Sequence, residues 1–372
     1  MLLFLKKNFD LIFLLTISFL PFIALGNIFL FLTFFLFLAF GEKISSIDFQ
    51  SSFLILYIIF STFSIVFSQD FYRSLQEGKE ILNFLIYFLS LIYFSKKIKN
   101  ENLIFAFLIP SLFLSSYGII EFFVKGLNDK NYRIHSLLSH YMTYTGILLI
   151  YFAILISYSF LSGNKKYKKF TIFGASLTIP PMFLSLTRNA WIGLFSILFF
   201  LLLFFKKRFL IFLFLIPLIF ILIFPSTIGK RVFSIFDLKD KTNIDRIKMW
   251  KASFNIFLKK PITGFGLGIP QKDYIFFREE GAIRYRIPHF HSNLFQILPE
   301  RGIFASLSYL GFVIFSLING YKRRYNWRGL ATFLSVFAIS VAGFFEFNFG
   351  DTEILWLTLI SSNLWREADE DI

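Results

Sequence analysis

Apolar runs of membrane-crossing length follow one another along most of this chain, and they constrain its fold more than any other feature. A hydrocarbon core ~30 Å thick takes about 20 helical residues to cross. Stretches that approach or exceed that length lie at roughly 9–25, 26–41, 52–69, 80–95, 102–124, 140–162, 170–187, 189–205, 209–225, 293–319, 329–347 and 351–365. The expectation is an all-α polytopic membrane protein with about 12 transmembrane helices. The pairs 9–41 and 170–205 are broken only by Pro21 to Asn27 and by Arg188, so eleven or thirteen spans also fit. Composition agrees: of 372 residues 56% are hydrophobic and 16% charged, where a soluble protein carries roughly a quarter charged residues.

The charges cluster between the runs. With the N-terminus in the cytoplasm, the inner turns hold Lys6-Lys7, Lys96-Lys97-Ile98-Lys99, Lys165 to Lys169, Lys206-Lys207-Arg208, and Lys322-Arg323-Arg324 with Arg328. The outer turns are poorer in Lys and Arg, as the positive-inside rule requires. This places both termini in the cytoplasm and makes "READEDI" a short acidic cytoplasmic tail. It also accounts for the net charge of +15 without nucleic acid as a partner. Lys6-Lys7 and the run after them resemble a signal peptide, but no small-residue cleavage site follows, so an uncleaved first span is expected. The absence of cysteine excludes disulfides and thiolate metal sites.

One integral domain follows: helices 1–9 over 1–225, a large periplasmic loop over 226–292, and helices 10–12 with the tail over 293–372. The loop carries 13 Lys and Arg against 6 Asp and Glu; long loops translocate largely regardless of charge. Within it, Ile247, Trp250, Phe254 and Phe257 recur at helical spacing, with Lys248, Lys251 and Lys259 elsewhere on the helix. The pattern predicts an amphipathic helix at the membrane surface, ended by Pro261. "TGFGLG" follows; without a βαβ unit it is no dinucleotide fingerprint and reads as a flexible turn.

Polar groups at membrane depth are costly, and each is a candidate for function. Arg133, His135 and His140 precede the sixth span, as an interfacial loop or the polar wall of a cavity. Arg188 stands between two apolar runs with no acid beside it in the sequence, fitting a snorkelling side chain or an anion ligand, since guanidinium grips phosphate bidentately. Arg246 lies on the loop helix, as a solvated charge or a second anion ligand. In "PHFHSNLFQILPERG", His291 sits where the loop re-enters the membrane, and Asn293, Gln296 and Glu300 follow along the tenth span. Neutral imidazole is a natural general base for a hydroxyl. His289 is expected to point elsewhere. Glu346, Asp351 and Glu353 form a last patch that either holds an arginine or is a solvated turn.

No zinc motif, acidic Asp-x-Asp pair, nucleophile elbow or P-loop occurs, so neither a cofactor nor a metal is expected. Two or three cations plus one histidine suit displacement of a pyrophosphate leaving group, with arginines neutralising the departing charge and the histidine taking the hydroxyl proton.

In their order, "SLTRNAWIG", "RIKMW", "PITGFGLG" and "HSNLFQILPERG" resemble the O-antigen ligase and polymerase superfamily of bacterial inner membranes. There an outer loop precedes a His-(Ser/Asn)-x-x-x-Gln-x-x-x-Glu-x-Gly motif, matched here by His291, Ser292, Gln296, Glu300 and Gly302. The resemblance covers roughly 130–355. It implies a GT-C-like, metal-independent, inverting glycosyltransferase whose donor is a glycan on undecaprenyl pyrophosphate. By the same resemblance His291 matches the general base and Arg188 and Arg246 the donor pyrophosphate ligands, with Gln296, Glu300, Arg133 and His140 supporting. Pro299-Glu300-Arg301 departs from the more usual Ala-Glu, and Pro299 is expected to kink the tenth helix.

The leading expectation is an O-antigen ligase acting on lipid A–core at the periplasmic face of the inner membrane, with membrane lipids around it. A polymerase joining lipid-linked repeat units uses the same chemistry. A lipid-linked sugar flippase needs charges deep along a central path, whereas the polar residues here gather on one face. A structural membrane protein is the fourth reading.

Overall fold

The computed structural model describes residues 9–40, 47–94, 99–126, 132–205, 219, 222–223, 228–237 and 239–366. Among them regular structure is helical throughout, with no strand. The helices are α1 Phe9–Phe19, α2 Ile23–Phe40, α3 Phe49–Val66, α4 Phe71–Gly78 continued by a 3-10 stretch Lys79–Phe84, and α5 Leu85–Phe94. Then come α6 Asn100–Glu121, α7 Tyr141–Leu161, α8 Lys165–Leu184, α9 Arg188–Phe205, α10 Lys230–Phe236 and α11 Lys241–Lys259. The last are α12 Ile269–Phe277, α13 Asn293–Lys322, α14 Trp327–Ala342 and α15 Thr352–Ser361.

Among the described residues, five helical stretches are long and apolar enough to cross a membrane: Phe49–Val66, Asn100–Gly126, Tyr141–Leu161, Arg188–Phe205 and Asn293–Lys322. Phe9–Phe19, Ile23–Ala39 and Trp327–Ala342 are apolar but shorter. The ninth expected span, 209–225, lies almost wholly outside the described residues, as do the tail 367–372 and the cations at 6–7, 96–98 and 206–208.

Helix α7 is the hub. It is apolar on all sides, as a helix enclosed by others must be, and 89% of its most apolar window is buried. It packs against α8 and α14, while α13 packs along α3 and against α14. The chain direction then fixes which ends meet. The starts of α7, α9 and α13 and the ends of α8 and α14 share one end of the bundle. At the other end Arg328 donates to Asn100 (2.9 Å) and Asn164 donates to Glu101 (3.3 Å), close in sequence to Lys165–Lys169.

The segment between α9 and α13 has a small core of its own, formed by Met249, Ala252, Ile256, Phe265, Ile269, Tyr274, Ile287 and Phe290. Helix α11 forms where expected, and a second stripe of it turns inward. Met249, Ala252, Ser253 and Ile256 are buried, while Ile247 is 40% and Phe254 46% exposed. Both stripes have helical spacing and both are partly apolar; the packing partner, α13, decides between them.

Helix α13 does not kink at Pro299. Its break is at Gly302, where φ is 77° and ψ −177°. Pro299 sits in the second turn, where its missing N–H would have met the carbonyl of Phe295; the Ser253 hydroxyl donates to that carbonyl instead. The "TGFGLG" turn is not a flexible joint. Phe265 N–H donates to Pro299 O (2.9 Å), Gly266 N–H to Glu300 O (3.0 Å), and Ile303 N–H to Pro261 O (2.8 Å). A Cβ on Gly264 would stand 2.3 Å from the Glu300 carbonyl oxygen, and one on Gly302 2.1 Å from that of Ile262. Glycine is there for close approach, with positive φ at both positions.

Candidate active site

At the bundle end where α7, α9 and α13 begin, a cavity of about 430 Å³ opens against α11. Its walls carry five arginines, Arg133, Arg188, Arg231, Arg246 and Arg284, with His140, His289 and His291. Asp245 is the one carboxylate among its lining residues.

His291 is placed by its own backbone and by the helix that follows. It adopts φ 52°, a conformation that non-glycine residues rarely take and that gathers at functional sites. Gln296, one turn into α13, accepts from Phe290 N–H (2.9 Å) and donates to Glu300 (2.7 Å). Gln296 therefore ties the approach to His291 to the helix. Asn293 does the same for the facing turn, accepting from Phe349 N–H (3.0 Å) while its own N–H donates to Gly343 O (2.8 Å). That turn carries Glu346.

Glu346 is buried and gathers three cationic or titratable partners. Its Oε2 lies 3.2 Å from His291 Nδ1 and 3.8 Å from Arg246, and its Oε1 lies 3.4 Å from His289 Nε2. Burial pushes the Glu346 carboxyl up, but the His291 hydrogen bond and the nearby His289, His291 and Arg246 outweigh it and hold it down to about 2. It is thus an anion. Burial pushes His289 down to about 4 against the pull of Glu346, so its ring is neutral at pH 7. His289 Nδ1 accepts the backbone N–H of His291 (3.2 Å), which puts its proton on Nε2, facing the carboxylate. His291 Nδ1–H likewise donates to Glu346, leaving the lone pair of Nε2 toward the cavity. There Arg284 donates to it at 3.0 Å.

The arginines are set from separate elements. Arg188, first residue of α9, donates to Ser234 O (2.9 Å) and Oγ (3.0 Å) and lies 3.5 Å from Asp240. The sequence around it holds no acid; folding supplies one from the loop. Arg246 keeps a buried Nε without a partner. Arg133 donates to Leu186 O (3.0 Å) and lies over the Tyr141 ring at 4.2 Å. Arg284 pairs with Asp245 at 3.4 Å.

Of the residues singled out from sequence, His291, Arg188, Arg246, Arg133 and His140 line this cavity. Gln296 and Glu300 do not; they brace it from behind. Glu300 Oε1 accepts from Gln296, Gln271 (2.7 Å) and Gly268 N–H (3.0 Å), which anchors the glycine turn. His135 instead faces Glu121, whose carboxylate also takes the N–H groups of His135 (3.0 Å) and Ser136 (2.7 Å). His289 points to the same carboxylate as His291, not elsewhere. Asp351 accepts from the Thr143 hydroxyl rather than from an arginine. Arg231, Asp245 and Arg284 were not singled out.

Part of this geometry lies in a stretch that is similar to a known family. Residues 173–310 match the O-antigen ligase family model. The match takes in Arg188, the whole loop, His291, Gln296 and Glu300, and is a similarity over that stretch of the chain. Beside it, among the described residues, stand helices long and apolar enough to cross a membrane. No curated protein matches the chain.

Ligand atoms of His289, His291 and Glu346 all lie within 4.8 Å of one another, a set of the kind that takes a divalent cation. Two guanidinium groups compete for the same atoms, Arg246 at Glu346 and Arg284 at His291. In an arginine-lined cavity that arrangement favours an anion over a dication.

Proposed function

We propose that this chain is an O-antigen ligase-type glycosyltransferase. It moves a glycan from undecaprenyl pyrophosphate to a hydroxyl of the lipid A–core sugar. The observation that carries the reading is the imidazole of His291: one nitrogen is hydrogen-bonded to a buried carboxylate and the other faces a cavity walled by arginines.

The donor's pyrophosphate sits among Arg188, Arg246 and Arg284, where the unpartnered Nε of Arg246 gives it one more donor. Arg284 is half exposed and free to swing from His291 to the phosphate, which uncovers the Nε2 lone pair. The acceptor hydroxyl then gives its proton to Nε2 as its oxygen attacks the anomeric carbon from the face opposite the leaving group. The bond from that carbon to the pyrophosphate oxygen breaks, undecaprenyl pyrophosphate leaves with the electron pair, and the anomeric configuration inverts. Glu346 stabilises the imidazolium as it forms, and the arginines stabilise the leaving charge. No metal or other cofactor takes part.

In the same reading twelve helices span the bacterial inner membrane with both termini in the cytoplasm. Support comes from the bundle itself: the lysines of Lys165–Lys169 and the cations Lys322–Arg328 lie at the end opposite the cavity, as inner and outer faces should. The exposed Ile247 and Phe254 of α11 meet the membrane surface.

The test is a host strain lacking the gene, complemented with wild type or His291→Ala. Long polymer held on the lipid carrier beside bare lipid A–core supports a ligase that uses His291. Single repeat units on the carrier reassign the chain to the polymerases. Normal lipopolysaccharide from His291→Ala at wild-type protein level overturns the site.

A further inference from the structure

A second cavity, of about 810 Å³, lies on the other side of Pro288 and His289, which line both. Its charge is nearly balanced, unlike that of the first. Four carboxylates, Glu77, Glu80, Asp273 and Glu300, line it with the amide of Gln271, against three cations, Arg73, Lys272 and Arg286. A doubly charged phosphate gains little there. Carboxylates only accept hydrogen bonds, so they suit a ligand made of hydroxyl donors.

Two details point the same way. Gln271 spends its N–H on Glu300 (2.7 Å) and leaves a buried carbonyl oxygen without a donor. A buried acceptor without a partner is costly unless a ligand or water supplies one. Phe276 and Phe347 also line the cavity, giving the apolar C–H face of a sugar ring something to lie against. The wall is held rigidly from behind, where buried Arg301 pairs with Glu80 at 3.4 Å and with Glu300 at 3.8 Å.

We propose that this cavity is the acceptor subsite, which binds a neutral, hydroxyl-rich terminal sugar of the lipopolysaccharide core and presents its hydroxyl past His289 to His291. This rests on reading the arginine-lined cavity as the donor pyrophosphate site, but the two can fail separately. Residues from α4, its 3-10 continuation and α12 would then set acceptor choice, while α9 and α11 set donor choice.

The experiment is isothermal titration of the full chain in lipid nanodiscs with two probes. One is inorganic pyrophosphate; the other is the host's lipopolysaccharide core oligosaccharide, delipidated and dephosphorylated. Gln271→Ala and Glu77→Gln should each weaken oligosaccharide binding about tenfold, with pyrophosphate binding unchanged. Glu77→Gln keeps the side chain's shape and so stands in if Gln271→Ala unfolds. Arg188→Ala should weaken pyrophosphate alone. If the oligosaccharide fails to bind the wild type, or binds both acid-cavity variants as it does wild type, the acceptor assignment is overturned whatever the pyrophosphate arm shows. Pyrophosphate that ignores Arg188→Ala refutes the donor reading instead, and the oligosaccharide arm still decides the second cavity.

Discussion

Replacing Glu346 with glutamine changes one charge at nearly constant volume, and the structure gives the size of the effect. The carboxyl is held at about 2 against an ordinary 4.5, net of a burial penalty that acts in the other direction. That difference corresponds to ~3 kcal/mol favouring the anion among its neighbours. His291, His289 and Arg246 share in it, and the share of His291 acts in return on the imidazolium that forms when that ring accepts a proton. Glutamine removes that share, so transfer should slow by ~10-fold, while glutamine still accepts from His291 Nδ1 and keeps the ring in place. Glu346→Asp should recover part of the rate. The assay is single-turnover transfer by purified protein in vesicles, over a range of pH, with circular dichroism to confirm folding. A Glu346→Gln protein that transfers at the wild-type rate with an unchanged pH profile, while His291→Ala is inactive, would refute the carboxylate's part in the mechanism.

Further outcomes follow from other contacts. Arg188→Ala and Arg246→Ala should each raise the donor KM, and lysine should rescue only partly because it lacks the planar fork; steady-state kinetics at saturating acceptor read this directly. Arg284→Gln should weaken donor binding yet unmask His291, so that its imidazole reacts faster with diethyl pyrocarbonate than in wild type. Gly302→Ala should cost ~2–4 kcal/mol, through a positive φ and a Cβ 2.1 Å from a carbonyl oxygen, seen as a lower thermal midpoint in detergent. Acid should destabilise the site in a defined window. His289 binds its proton near 4 when folded against 6.5 when unfolded, so its contribution is complete above 6.5 and lost as pH falls toward 4. Glu346 adds stability above 4.5 that disappears as pH falls through about 2. Unfolding midpoints that stay flat from pH 7 to 4 would contradict the His289 assignment. Chelator treatment should leave transfer unchanged, read in the same vesicle assay.

The helical architecture was legible because lipid enforces it: an apolar run of sufficient length has few other ways to satisfy its backbone. The site was legible where a charge interrupts such a run, which is why Arg188, His291 and Arg133 stand out. Arg231 and Arg284 did not, because in a loop with 13 cations nothing local separates those that line the cavity from the rest. The role of Glu346 depends on a turn 55 residues from His291 being brought against it, and no spacing rule reaches that far. The helix α11 was legible from its spacing, but the second stripe that it buries, Met249, Ala252 and Ile256, was not, because only the partner helix selects it. The break in α13 was placed at proline, yet a neighbouring serine relieves the carbonyl that proline leaves, and the turn from the loop bends the helix three residues later.

The lacing between the glycine turn and the broken helix has a consequence for how such a protein can change over time. It is made from the main-chain groups of residues 261, 265, 266, 299, 300 and 303, and main-chain groups are common to every amino acid but proline's missing donor. Most side chains around the glycine turn can therefore be exchanged without loosening it, provided a few glycines keep the two backbones within reach. A protein held in this way can drift far in letters while its machinery stays in register.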